Sequence, residues 1–205
     1  MKWKMFLAMV LAGVMVCLAA HPSHAIRLGI TGVETTVSLT SFDDLTRLGL
    51  VPAPVGTARV DTGVAPPEIN FPITGGTLDT ATSIASIEHN GSGLSLTGRG
   101  STLFLENFLI DTGINQLSGV ASVGSLIFPD LPIFDITPDL ELLLTGQAAA
   151  AIDRIFGVGN LRGAEIGVAR LNLETATPVP EPSTMLLFGA GVLGIAGFGR
   201  KKFRQ

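Results

Sequence analysis

The chain has 205 residues, of which 46 % are hydrophobic and only 15 % charged, and its formal net charge at pH 7 is −4. Its basic residues are unevenly distributed, because residues 26–180 contain seven arginines and no lysine against 16 aspartates and glutamates. Binding of nucleic acids needs clustered lysine and arginine to neutralise phosphates. This composition therefore argues against nucleic acid as a partner.

The first 25 residues have the organisation of a secretory signal peptide. Lys2 and Lys4 form a positively charged start, residues 6–20 are an apolar run, and small residues precede the expected cleavage site. The apolar run is short for a stable membrane span. We therefore expect export, with cleavage after Ala25. The single cysteine of the chain lies inside this segment, so the mature protein would contain no disulfide.

Residues 26–175 are expected to form one domain, because about 150 residues are enough to bury a hydrophobic core. Short runs rich in valine, isoleucine, leucine and threonine, separated by glycine and proline, predict strands. Short strands at this spacing favour a mainly β fold, either a β-sandwich or a barrel-like domain. The predicted strands are 35–40, 68–73, 82–89, 93–98, 102–110, 120–128, 139–146 and 164–173.

Two short helices are predicted within this domain. In the segment 41–50, Ser41 can cap a helix, and Gly49 can end it in the left-handed conformation. The segment 146–157 is rich in alanine and bounded by glycines, which is typical of a short helix. Prolines at positions 52, 54, 66 and 67 predict loops after the first helix.

A tight hairpin turn is predicted at Asn90-Gly91, since these residues favour the positive φ angles of a two-residue turn. His89 precedes the turn, and we expect it to be exposed to solvent. It is the only histidine after the predicted signal peptide. A serine-histidine-aspartate triad would therefore need His89, and a metal site with two histidine ligands is not possible.

The tripeptide Asp-Thr-Gly occurs twice, at Asp61 and Asp111, and aspartic proteases use a pair of aspartates that share a proton. The two copies have unrelated flanks, and Val64 and Ile114 follow them where a small hydroxyl residue is usual. Asp-Thr-Gly is also a natural turn, because the aspartate bonds to its own backbone and glycine permits positive φ. We interpret both copies as turns and expect no enzyme activity.

An acidic segment over residues 130–141 contains four carboxylates, which are suitable ligands for calcium. Their spacing fits no calcium loop, and we expect neither a bound metal nor another cofactor. The four residues are Asp130, Asp135, Asp139 and Glu141.

A second apolar segment lies near the C-terminus, where residues 185–199 contain no charged residue. Fifteen residues of helix span about 22 Å, which is less than the roughly 30 Å hydrocarbon core of a bilayer. Positive charges after the segment would hold its end in the cytoplasm. We therefore predict a short transmembrane anchor with a basic tail over residues 183–205, held at least transiently in the inner membrane. The basic stop consists of Arg200, Lys201, Lys202 and Arg204.

A linker over residues 176–182 joins the domain to this anchor and contains Pro180, Glu181 and Pro182. The order of Pro-Glu-Pro, glycine-rich apolar stretch and basic stop resembles the PEP-CTERM sorting signal of Gram-negative bacteria. The resemblance implies that a membrane-embedded exosortase recognises and cleaves the signal. It also implies a destination at the cell surface or outside the cell, in association with exopolysaccharide and biofilm.

The domain resembles secreted HtaA-type haem-binding modules in the segments FPITGGTLD (71–79), IEHNGSGLSL (87–96) and FLIDTG (108–113). This resemblance implies a β-rich fold in which tyrosine and histidine bind haem. The chain has no tyrosine, which leaves His89 as the only candidate haem ligand.

Two functions are compatible with these features. The first is that of an exported, exosortase-sorted surface or extracellular-matrix protein with a non-enzymatic structural or interaction role. The alternative is a secreted binding module for polysaccharide or for a small ligand such as haem. Sugar-binding surfaces usually present exposed aromatic rings, but the one tryptophan, Trp3, lies in the signal peptide. This absence favours the structural role.

Overall fold

The computed structural model of the chain describes residues 27–175, and twelve strands and two helices lie in that range. The strands form one sheet that curls into a half-barrel. The prediction of a mainly β, barrel-like domain with short helices is therefore confirmed. None of the helices within the described range is long and apolar enough to cross a membrane. The predicted transmembrane helix lies outside the described residues.

The elements follow one another along the chain with short connections. The strands are β1 (Arg27–Gly29), β2 (Glu34–Ser38), β3 (Val51–Gly56), β4 (Arg59–Asp61), β5 (Glu68–Pro72), β6 (Gly75–Asp79), β7 (Ile84–Gly98), β8 (Ser101–Asp111), β9 (Gln116–Val123), β10 (Leu126–Ile136), β11 (Glu141–Leu144) and β12 (Glu165–Asn172). The helices are α1 (Phe42–Arg47) and α2 (Gly146–Phe156).

The order of strands in the sheet is β1-β6-β7-β8-β9-β10-β11-β12-β2-β5-β4, and the paired strands are antiparallel. Strand β3 pairs with the second half of β7, while β6 pairs with its first half. The long hairpins from β7 to β10 form one arm of the curled sheet. Strands β12, β2 and β5 form the other arm.

The two arms meet around a shared hydrophobic core. The backbone N–H of Thr74, just after β5, donates to the carbonyl of Glu88 in β7 at 2.8 Å. Inside the curl, the rings of Phe71 and Phe108 pack edge to face with their centroids 5.3 Å apart. The backbone bond extends the β6–β7 ladder, and the ring contact joins the two arms across the interior.

Both helices cover the same end of the half-barrel, which we call the helix end. Helix α2 begins after Thr145, whose hydroxyl accepts from the N–H of Ala148 at 3.2 Å, and Gly157 caps its C-terminal end in the left-handed conformation. It buries Ile152 and Phe156. Leu45 of α1 lies near Ile152 over the same part of the core. Both predicted helices are confirmed, including the alanine-rich segment bounded by glycines. The predicted cap by Ser41 is wrong, because its hydroxyl makes no capping bond and donates instead to the carbonyl of Glu165.

The opposite end of the half-barrel carries no helix among the described residues, and we call it the open end. The turns β8–β9 and β10–β11 lie here, and both ends of the described chain emerge on the same side. Arg27 pairs with Asp79 at the end of β6, and Thr175 forms an isolated bridge with Ile30. The segments that precede and follow the described domain are therefore attached at the open end.

The predicted hairpin at Asn90-Gly91 is wrong. Residues 84–98 form the single strand β7, and its ladder with β8 shifts between His89 and Gly93. The N–H of Gly91 donates to the side chain of Asn107 at 2.8 Å, and its carbonyl accepts from the N–H of Thr57 at 2.9 Å. Asparagine and glycine therefore form a bulge within one strand, not a turn between two.

Two further predictions in the sheet are wrong. The run 120–128 is not one strand, because Gly124 takes a φ of 56° and the chain turns there between β9 and β10. Pro52 and Pro54 lie in strand β3 and not in a loop. Strand β3 pairs only with β7, and an edge strand tolerates missing N–H donors on its free side.

Candidate functional site

His89 lies on β7 with its side chain in the interior, where it is only 1 % exposed. Its Nε2 is 2.7 Å from the hydroxyl of Thr35 on β2, and its Nδ1 is 3.4 Å from the carbonyl of Phe108 on β8. The expectation of an exposed histidine is therefore wrong. Because the strand continues through a bulge, His89 keeps the inward alternation of Ala85 and Ile87.

The surroundings of His89 determine its charge. Burial removes water from the ring and lowers its pKa from 6.5 to about 4, although the hydrogen bond with Phe108 opposes this shift. The ring is therefore neutral at pH 7. With Nδ1–H donating to Phe108, Nε2 accepts from the hydroxyl of Thr35. Both ring nitrogens are occupied, and the side chain links the two arms of the sheet.

A small cavity of about 30 Å³ lies beside His89, among Thr35, Phe71, Phe108 and Phe134. Ligand pockets usually measure about 300–1,000 Å³. A haem group does not fit this space. The arrangement of His89 is that of a satisfied core histidine, so it does not support the role of haem ligand.

A larger cavity of about 200 Å³ lies at the open end. The turn before β9 and the connection between β10 and β11 form its mouth, and strand β12 forms its far wall. Ile110 and Ala169 line this cavity and also the small cavity beside His89, so the two spaces adjoin. The other lining residues include Thr112, Asn115, Ile136, Leu140 and Leu171.

The two Asp-Thr-Gly copies are turns, as predicted. Oδ1 of Asp61 accepts from the N–H of Gly63 at 2.8 Å, and Oδ1 of Asp111 accepts from the N–H of Gly113 at the same distance. Asp61 ends the edge strand β4, whereas Asp111 ends β8 in the other arm. The structure therefore does not place these carboxylates on neighbouring strands.

The acidic segment runs from β10 into β11. Asp135 accepts from the side-chain amide of Gln116 at 3.2 Å, and Glu141 accepts from the hydroxyl of Thr137 at 3.3 Å. Within residues 27–175 there is no group of three histidines, cysteines or acidic residues that could hold a metal ion. Asp135 and Glu141 therefore make local hydrogen bonds to neighbouring side chains.

The residues predicted to act in export and sorting lie outside the described residues. They are Ala25, Pro180, Glu181, Pro182, Arg200, Lys201, Lys202 and Arg204. Their roles stay predictions, as do the segment boundaries 1–25, 26–175, 176–182 and 183–205.

Comparison with known proteins bears on this C-terminal part of the chain. Residues 178–201 match the PEP-CTERM protein-sorting motif. The chain carries a PEP-CTERM sorting signal. The signal indicates export and a membrane-anchored sorting step of Gram-negative bacteria in which an exosortase processes the protein. The resemblance seen in the sequence is thereby confirmed, over 24 residues of the 205.

The described domain shows only weak similarity to known structures. The crystal structure of the haem-binding protein HtaB from Corynebacterium glutamicum is similar with a TM-score of 0.49 and 13 % sequence identity. The similarity covers 74 % of this chain and 96 % of HtaB. No curated protein matches the sequence.

The open-end cavity was not predicted from the sequence, although one of its residues carries a signal. Asn115 has a φ of 52°, and asparagine is one of the few residues that adopt such angles readily. Its position after Ile114 could have indicated a turn. Leu140 has a φ of 63° and gives no sequence signal, because leucine rarely takes this conformation.

Proposed function

We propose that this protein is a non-enzymatic component of the cell surface or extracellular matrix, released by an exosortase and associated with exopolysaccharide. The PEP-CTERM match over residues 178–201 carries this proposal. The absence of catalysis is supported by His89, whose two ring nitrogens are occupied, and by the turn roles of Asp61 and Asp111.

Processing is tested by intact-mass analysis in a host that contains an exosortase. The wild-type protein is expected to lose its C-terminal segment, whereas a variant with Pro180, Glu181 and Pro182 all replaced by alanine should stay full-length in the membrane. Replacement of Thr177 by alanine is the matched control, because Thr177 lies just before the matched motif, and it should leave processing intact. Wild-type protein that still ends at Gln205 would contradict the proposal.

An interaction role is supported by the tip of the β9–β10 hairpin. Leu126, Ile127 and Phe128 are consecutive apolar residues that are 59 %, 66 % and 43 % exposed. Adjacent exposed apolar side chains mark interaction surfaces more often than isolated ones do. This tip lies at the helix end, opposite the end where the segment with the sorting signal is attached. It would therefore point away from the membrane before processing.

The partner is tested by sedimenting the protein with exopolysaccharide matrix prepared from the host. We expect the wild-type protein to be retained and Ile127→Asp to be released. Ile114→Asp is a matched control, because Ile114 is 67 % exposed but lies at the open end. Equal retention of both variants would show that the hairpin tip does not contribute to binding of the matrix. A wild-type protein that stays in the supernatant would contradict the association with the matrix.

A second candidate function is the binding of a small ligand, and the observation that favours it is the cavity of about 200 Å³ at the open end. This candidate does not use His89, and the cavity is smaller than the usual range of about 300–1,000 Å³ for ligand pockets. Haem is therefore a poor candidate, and a smaller molecule fits better.

A further inference from the structure

The size of the open-end cavity limits what could occupy it. Its volume is about 200 Å³, and an engineered apolar cavity of about 150 Å³ binds benzene. One aromatic ring with a short substituent therefore matches the space. Ile110, Ile136, Leu140 and Leu171 contribute apolar walls. Such walls favour an apolar body, since burial removes apolar surface from water.

The backbone around the cavity is held in an uncommon conformation. Asn115 and Leu140 both line the cavity, and both have positive φ angles. The carbonyl of Asn115 accepts from Ile136 at 2.8 Å, and that of Leu140 accepts from Ala169 at 2.9 Å. These bonds fix the two residues to opposite walls. The mouth is therefore supported by strands β10 and β12.

One polar side chain at the mouth is available to a ligand. The amide of Asn115 has no hydrogen-bond partner among residues 27–175, and it has both donor and acceptor atoms. The hydroxyl of Thr112, in contrast, already bonds to the backbone of Ala85. A ligand with a hydroxyl or amide group could therefore bond to Asn115 while its apolar part enters the cavity.

The charges beside the cavity disfavour anions. Asp111, Asp135 and Asp139 each adjoin a lining residue in the sequence. Their negative charges repel a carboxylate or phosphate at the mouth. An uncharged or a cationic polar group at the mouth avoids this repulsion.

We propose that the open-end cavity binds a small amphiphile without negative charge, with an apolar body of about one ring and a hydrogen-bonding group that contacts Asn115. This inference rests on the second candidate function, ligand binding, and is independent of sorting. Asn115 makes the hydrogen bond to the ligand's polar group, and the residues around Ile136 and Leu171 form the apolar walls.

The test uses the full-length protein in detergent micelles, with isotope-labelled methyl groups of isoleucine and leucine followed by NMR. Benzyl alcohol is the probe, and toluene lacks its hydroxyl. We expect saturable shifts of the Ile136 and Leu171 methyl signals, with no comparable shift at Ile69 in the core. Because partitioning into micelles is not specific to one cavity, the location of the shifts identifies the site.

Asn115→Gly removes the amide and retains the positive φ angle, so the turn is preserved. It should weaken the binding of benzyl alcohol about fivefold, as expected for the loss of one hydrogen bond, and leave the affinity for toluene unchanged. Asn107→Gly is the matched control, since Asn107 also has a positive φ (55°) but bonds to Gly91 away from the cavity.

Three results would overturn the proposal. They are an absence of saturable shifts up to the solubility of benzyl alcohol, binding of benzoate as tight as that of benzyl alcohol, and equal affinities of wild-type protein and Asn115→Gly for benzyl alcohol. None of these results affects the mass analysis of C-terminal processing, so failure of ligand binding is distinguishable from failure of sorting.

Discussion

The two ends of the half-barrel differ in how completely they are packed. At the helix end, Leu50 is 0 % exposed and Phe156 is 1 % exposed, and the gap between the helices and the sheet measures about 20 Å³. At the open end, Leu171 is half-buried beside a cavity of about 200 Å³. One sheet therefore supports both a close-packed core and an unfilled space, depending on whether helices cover its end.

The largest expected effect comes from truncation at the helix end. Phe156→Ala removes a fully buried ring from α2 and should lower the free energy of unfolding by about 3–5 kcal/mol. Leu171→Ala at the open end removes a half-buried side chain that already borders a cavity, and should cost about 1 kcal/mol. Urea unfolding followed by circular dichroism measures both. Similar losses for the two variants would show that the ends are equally packed.

A second prediction concerns His89, which lies between the two ends. Its pKa is lowered to about 4 when folded, and it is about 6.5 when unfolded. The unfolded chain therefore binds more protons between these pH values. The stability linked to neutral His89 is fully present above pH 6.5 and is lost as the pH falls towards 4, by roughly 3 kcal/mol in total.

His89→Gln should remove this dependence, because glutamine does not titrate and still offers a donor and an acceptor. The measurement is the free energy of unfolding of both proteins between pH 7 and pH 4, taken as a difference so that the carboxylates cancel. Parallel curves for the two proteins would show that His89 does not titrate on unfolding.

The smallest effect is expected at the two Asp-Thr-Gly turns, one in each arm. Asp61→Asn and Asp111→Asn keep an oxygen that accepts from the glycine N–H, so stability should change by less than about 0.5 kcal/mol. Neither change should affect a catalytic activity. Cleavage of a protein substrate by the wild-type protein, inhibited by pepstatin and lost in either variant, would refute the turn assignment.

Local signals in the sequence predicted the helices and most strands. The glycines around 146–157 and the alternation in 164–173 correspond to α2 and β12, because these elements are decided by their own residues. The hairpin turn predicted at Asn90-Gly91 is wrong because the same dipeptide is compatible with a turn or with a bulge. Asn107 and Thr57, which are distant in sequence, hold it as a bulge.

The candidate site was less predictable than the fold. The C-terminal sorting signal is one contiguous segment, so its motif could be recognised from the sequence alone. The open-end cavity brings together Ile110, Leu140 and Leu171 from three parts of the chain. The cavity exists because no helix of the described residues covers that end. The burial of His89 likewise depends on Thr35 and Phe108, which the curl of the sheet brings to it.

The bridge between Ile30 and Thr175 also determines how the domain would bear a mechanical load. A pull on Thr175 that is resisted at the helix end acts along β12, and loads its hydrogen bonds to β2 and β11 together, in shear. A pull resisted at Arg27 acts between two points at the same end and opens the Ile30–Thr175 bridge first. A domain tethered at its C-terminus and held by its far end is therefore loaded in its mechanically stronger direction.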